Sequence, residues 1–130
     1  MENFLRAALI DWLRGDPGLA EINAIEEETP VSASAPWLGI AASASTDWGT
    51  KDRVGREVRL ALELESRSDE PGGDGALLGA IERRVLGLPP FHPGFEIASI
   101  RFLRSRSEER PGHLRGALLE FRFRIFAPQS

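Results

Sequence analysis

The sequence predicts an α+β fold, with an antiparallel or mixed sheet of about four strands and two main helices packed on one face. Three observations carry this. Apolar residues recur at helical spacing in two separate segments. Elsewhere apolar and charged residues alternate strictly, as in strands with one covered face. No repeated strand–helix–strand series runs through the chain, which argues against a parallel α/β sheet.

The first helix is read from Phe4, Leu5, Ala8, Leu9, Trp12 and Leu13, with Glu2, Arg6, Asp11 and Arg14 on the other side. Asn3 is placed to cap its start, and Gly15-Asp16-Pro17-Gly18 stops it because proline cannot continue the helix. Trp12 is expected in the core. Residues 19–36 carry a weak signal: Ile22 and Ile25 suit a short strand or a helical turn, Glu26-Glu27-Glu28 a solvated face, and 31–36 a loop. A strand of small residues is predicted over 37–44, and an exposed loop over 45–55.

Val58, Leu60, Leu62 and Leu64 then alternate with Glu57, Arg59, Ala61, Glu63 and Glu65, giving a half-buried strand. Residues 68–75 break the chain. Ala76, Leu77, Leu78, Ile81, Val85 and Leu86 define the second helix, with Asp74 at its start and Gly87 at its end. Residues 88–94 form a proline-rich connector. The last third reads as a hairpin, 95–104 out and 116–126 back, around a polar loop at Glu108-Glu109-Arg110-Pro111-Gly112. The return strand places Ala117, Leu119, Phe121, Phe123 and Ile125 on one face, and Leu118, Glu120, Arg122 and Arg124 on the other. On the outgoing strand Ala98, Ile100 and Phe102 are expected to oppose Ile97, Ser99, Arg101 and Leu103. Glu63 and Glu65 are expected to pair with Arg122 and Arg124 across the outer face.

The composition sets limits on function. The chain has 130 residues, 42% hydrophobic and 28% charged, with no long apolar run, which fits one domain over 1–130 and neither disorder nor a membrane partner. There is no cysteine, so disulfides, thiol chemistry and cysteine-ligated zinc are excluded together. The formal charge of −4 disfavours a general affinity for nucleic-acid backbone or anionic lipid, leaving room for a local basic patch, and no specific nucleic-acid binding is expected. All 16 basic residues except Lys51 are arginine, which with the many Ala, Gly and Pro residues fits the codon bias of a GC-rich genome, the alternative being selection of the cation that suits protein interfaces. The N-terminus lacks the pattern of an export signal, so a cytoplasmic location is expected.

No arrangement of residues predicts catalysis. His92 and His113 have no partner at ligand spacing, so no metal site is expected, and no Gly-x-Ser-x-Gly elbow occurs. In Gly72-Gly73-Asp74-Gly75-Ala76-Leu77-Leu78 the position needing a third glycine of a dinucleotide loop is Leu78, and Asp69, Glu70 and Asp74 would repel a pyrophosphate. A calcium loop from Asp69 fails at Ala80, where a bidentate carboxylate is required. Glu108-Glu109 reads as a solvated loop. No cofactor is expected. What remains is an interaction surface: Trp48 among Asp47, Lys51, Asp52 and Arg53 joins the residue types that dominate binding hot spots, the alternative being that Trp48 folds back over the sheet edge.

The order of these features resembles the tail terminator, or tail-completion, proteins of long-tailed bacteriophages and gene transfer agents. The resemblance is carried by Leu5-Arg6-Ala7-Ala8-Leu9, Pro36-Trp37-Leu38, Asp47-Trp48-Gly49-Thr50-Lys51, Gly55-Arg56-Glu57-Val58-Arg59-Leu60, the second helix, and a final hairpin ending in Arg122-Phe123-Arg124. It implies a structural protein without enzymatic activity that assembles as a ring, usually a hexamer, on the head-proximal end of the tail tube. Such a ring stops polymerisation and meets the head connector or stopper, DNA passing through it, and is finally carried in the particle. On that reading Trp48, Lys51, Arg53 and Arg56 face a partner, and Glu63, Glu65, Arg122 and Arg124 line a subunit contact or the lumen. The alternative classes are a small-molecule-binding domain or enzyme on a similar scaffold, which requires a concave polar pocket, and another neck or tube protein of the same particle.

Overall fold

The computed structural model describes residues 1–67 and 73–128. Part of the predicted chain break at 68–75, including Asp69, Glu70 and Gly72, lies outside them. Helix α1 spans Glu2–Arg14 and buries Leu5, Leu9, Ile10 and Leu13. Met1 stands at the N-cap, so Asn3 falls inside the first turn, where its Oδ1 accepts a hydrogen bond from the terminal amine at 3.2 Å. After Gly15 a short 3-10 turn, Pro17–Leu19, is capped by the Asp16 side chain, which accepts from the Gly18 N–H.

The strands are β1 (Ala24–Glu26), β2 (Trp37–Asp47), β3 (Gly55–Arg67), β4 (Phe91–His92), β5 (Phe95–Arg110) and β6 (Leu114–Phe126), with α2 (Gly75–Leu86) between β3 and β4. They form one six-stranded sheet in the order β1-β2-β3-β6-β5-β4. It is mixed, because β1 runs parallel to β2 while the other pairs are antiparallel. The sheet therefore has two strands more than the pattern predicts. Both additions are too short to show a period: β1 is the segment of ambiguous signal around Ile25, and β4 lies within the proline-rich connector.

The helix-facing side of the sheet presents Val58, Leu60, Leu62 and Leu64 beside Leu119, Phe121, Phe123 and Ile125. These join Leu5, Leu9, Leu13, Ile81 and Val85 in one core. Burying a leucine or phenylalanine in such a layer contributes about 1.5–3 kcal/mol. Register shifts correct the expected faces of the outgoing strand. A bulge between Ile97 and Ser99 sets Ile97, Ile100 and Phe102 opposite Ile125, Phe123 and Phe121, leaving Ala98 exposed.

The final hairpin is longer than its sequence pattern. Glu108, Glu109 and Arg110 are still paired, with Gly116, Arg115 and Leu114, and only 111–113 form the turn, with positive φ at Gly112 and His113. Alternation requires a covered face, and 103–109 are exposed, so this part of β5 is polar without being a loop.

Both outer edges of the sheet are largely open. β1 covers only Trp37, Leu38 and Gly39 of β2, and β4 covers only Phe95 and Glu96 of β5. Among the described residues no strand lies beyond 41–47 of β2 or 99–110 of β5.

Candidate assembly surface

The sheet face turned away from the helices is charged. Alternation places Glu57, Arg59, Glu63 and Glu65 of β3 there, with Glu120, Arg122 and Arg124 of β6. The register does not set Glu63 and Glu65 against Arg122 and Arg124. Glu63 lies opposite Leu118 and Glu65 opposite Gly116, whereas Arg122 faces Arg59 and Arg124 faces Glu57. Sequence alternation identifies a face and leaves the rungs undetermined, which is why the expected pairs fail.

Glu63 and Glu65 are instead held by Arg110, a residue expected in a loop. Its Nη2 donates to Glu63 at 2.7 Å and its Nη1 to Glu65 at 3.1 Å. To do so the side chain crosses the whole width of β6, and it passes over Gly116: a Cβ there would collide with the guanidinium. Burial pulls the Arg110 pKa down, but the hydrogen bonds and charges of Glu63 and Glu65 outweigh it and the net displacement is upward. Trp37 Nε1 also donates to Glu65, at 2.9 Å. A lone glycine in an alternating strand is the sequence signal for this close approach.

At the opposite end of the same face, the loop after β2 folds back. The Trp48 ring lies 4.9 Å from that of Phe126, with the Arg124 guanidinium 5.3 Å from the Trp48 centroid. Arg124 also donates to Glu57 at 3.1 Å. Arg53 stacks on Phe126 at 4.3 Å, donates to Glu96 at 2.5 Å and reaches the carbonyl of Ala127. Trp48 and Arg53 thus fasten the loop to the end of β6, while Lys51 and Arg56 stay exposed, without an ion pair among the described residues.

Between the two ends, Arg59, Arg122 and Arg101 sit side by side across β3, β6 and β5. Among the described residues Glu57 is the only carboxylate within 4.0 Å of this row, 3.8 Å from Arg59 and 4.0 Å from Arg122. Like charges directly opposite one another destabilise a sheet. Two rungs along, Arg104 donates to Glu120; that hydrogen bond holds the Glu120 pKa below the usual glutamate range and raises that of Arg104.

The cavities do not suit catalysis. One, of about 570 Å³, lies between the end of α1 and β1. Most of its polar groups are spent on the backbone, since Arg14 donates to the Ile25 carbonyl, Asn23 to those of Ser34 and Ala35, and Asp16 accepts from Gly18, while Glu26 stays exposed at its rim. No three metal-ligating side chains converge among the described residues, and no helix is long and apolar enough to cross a membrane. On the charged face a shallow depression of about 170 Å³ lies beside Arg59, Ala61, Leu103 and Glu120.

Residues 7–125 match the family model described as tail completion protein gp17. No curated protein matches the sequence. Among solved structures, the chain superposes on one from a structure titled "Virion of native gene transfer agent (GTA) particle", with a TM-score of 0.80, 18% identity and 96% of each chain covered.

Proposed function

The chain belongs to the tail completion protein gp17 family, a structural family of phage-type tails rather than of enzymes, and on that premise we propose that it closes the head-proximal end of a tail tube. There copies of it form a ring, six in the simplest reading, which stops tube polymerisation and presents a surface to the head connector or stopper. The match over 7–125 is the observation that carries this reading. The geometry supports it, since the work requires a rigid sheet, patches for neighbours and no reacting group.

The charged face suits a lumen. Glu63 and Glu65 with Arg110, and Glu57 with Arg122 and Arg124, form a wall of mostly neutralised charge. DNA passing such a wall meets few unpaired cations, so it is neither held nor repelled strongly. The row Arg59, Arg122, Arg101 is the exception, and an arginine row that costs the fold energy is understandable if it meets phosphates in transit. The loop fastened by Trp48 and Arg53 presents Lys51 and Arg56 outward, toward the tube protein or the connector. Assembly takes place in the cytoplasm, and the ring stays in the finished phage-like particle.

The test is direct. Purified chain is added to polymerising tube protein and the tubes are viewed by electron microscopy. Arrested growth with a disc on one end is expected. Tubes that lengthen at the unchanged rate and carry no disc would overturn the reading.

A further inference from the structure

We infer that the subunits join edge to edge, the open segment of β2 in one copy pairing antiparallel with the open segment of β5 in the next; this rests on the ring reading above. The first argument is direction. β2 and β5 run oppositely within the sheet, through β3 and β6. Rotation about an axis along the strands preserves their direction, so the next copy's β5 meets β2 antiparallel, and a contact between two unlike edges repeats until a ring closes.

The second argument is complementarity. The β2 edge is low, with Ala41, Ala42 and Ala44 exposed. The β5 edge is bulky: Leu103, Arg104 and Arg106 are exposed, Arg104 already donates to Glu120, Glu108 and Glu109 follow toward the hairpin turn, and Leu103 is 38% accessible though apolar. β1 ends at Glu26, and Glu27 and Glu28 follow at the foot of the open segment of β2, with the Glu28 carbonyl against Gly39. These three glutamates line an open depression of about 470 Å³ together with Arg6 and Arg14. Within the sheet Arg106 lies level with Gly39, through Leu118 and Glu63, and Gly39 is the partner of Glu26. Because β1 already covers β2 at Gly39, a neighbouring β5 with little stagger pairs with β2 as far as its Arg104, level with Ala42, and its Arg106 then meets the end of β1 at Glu26 and Glu27.

Because the chain has no cysteine, disulfides report the contact without background. Thr46→Cys in β2 and Ser99→Cys in β5 lie at one level of the sheet, both opposite Glu57 and Arg124. Each single variant is oxidised alone and mixed with the other, and association is followed in parallel by light scattering. Disulfide dimers in the mixture, and in neither variant alone, are expected, together with a ladder of closed oligomers from the double variant. Arg106→Glu should weaken association at least about tenfold, and Glu26→Arg in the same chain should restore it. Oligomers that form without mixed disulfides would overturn the edge contact and leave the ring standing. Disulfides within the single variants would show an isologous dimer and overturn the inference. A chain that stays monomeric at high concentration, alone and on tube ends, would overturn the ring and the contact together.

Discussion

Trp12 of α1 and Arg84 of α2 clasp each other. Trp12 Nε1 donates to the Arg84 carbonyl at 2.7 Å, Arg84 Nε donates to the Trp12 carbonyl at 2.8 Å, and the guanidinium lies 3.4 Å from the indole centroid. The pair locks the two helices over one end of the core. Trp12→Ala should cost about 3–5 kcal/mol, by lost packing and the lost bond. Arg84→Lys keeps the charge but loses the planar stack and the Nε geometry, and should cost about 1–2 kcal/mol. Urea unfolding at one fixed protein concentration measures both, and an Arg84→Lys protein as stable as the parent would refute the clasp.

Gly116 and Arg110 should be strongly coupled. Replacing a strand glycine by alanine ordinarily stabilises by about 0.5–1 kcal/mol. Here Gly116→Ala should destabilise, by about 1–3 kcal/mol, because it drives Arg110 off and leaves Glu63 and Glu65 without their cation. In an Arg110→Ala background the same change should be neutral or favourable. A double-mutant cycle tests this, and additive effects would contradict it.

The pH dependence has a defined sign at Glu120. Its folded pKa is lowered by the Arg104 hydrogen bond, so the folded state favours the ionised carboxylate. That contribution is present above the unfolded pKa and is lost as pH falls through the folded one. The group is exposed, so salt should weaken it. An NMR titration should give Glu120 a midpoint below the usual glutamate range, moving upward in Arg104→Ala.

Folding and assembly should separate at the loop after β2. Arg53→Ala loses a stack on Phe126 and bonds to Glu96 and Ala127, and should cost about 1–3 kcal/mol. Lys51→Glu with Arg56→Glu breaks no side-chain bond among the described residues, and stability should stay within about 0.5 kcal/mol of the parent. It should nonetheless lower the yield of joined particles. Thermal unfolding read beside particle counts distinguishes the two classes, and unchanged counts for the Lys51 and Arg56 variant would remove the loop from the partner surface.

Much of this architecture is legible in the residues. Both helices and the strands holding Val58 to Leu64 and Ala117 to Ile125 follow from periodicity, because one face of each packs on the core. Illegible were features that leave no periodic trace. β1 and β4 are too short, the far half of β5 is exposed, and the bulges at Ala98 and Leu103 change faces without a sequence mark. The charged face was visible as alternation, but its pairs depend on register. Hence Glu63 and Glu65 were matched to Arg122 and Arg124 when Arg110 reaches them over Gly116. Trp48 carried two readings in the sequence, and only the position of Phe126 fixes where its ring lies.

The central claim is that this chain ends a tail and contributes no reaction. It is tested most directly by the tail lengths of particles produced with and without the chain, measured by electron microscopy. With it, tails of uniform length joined to heads are predicted; without it, overlong tubes and heads lacking tails, both corrected when the chain is supplied. Uniform, head-joined tails in its absence would contradict the account.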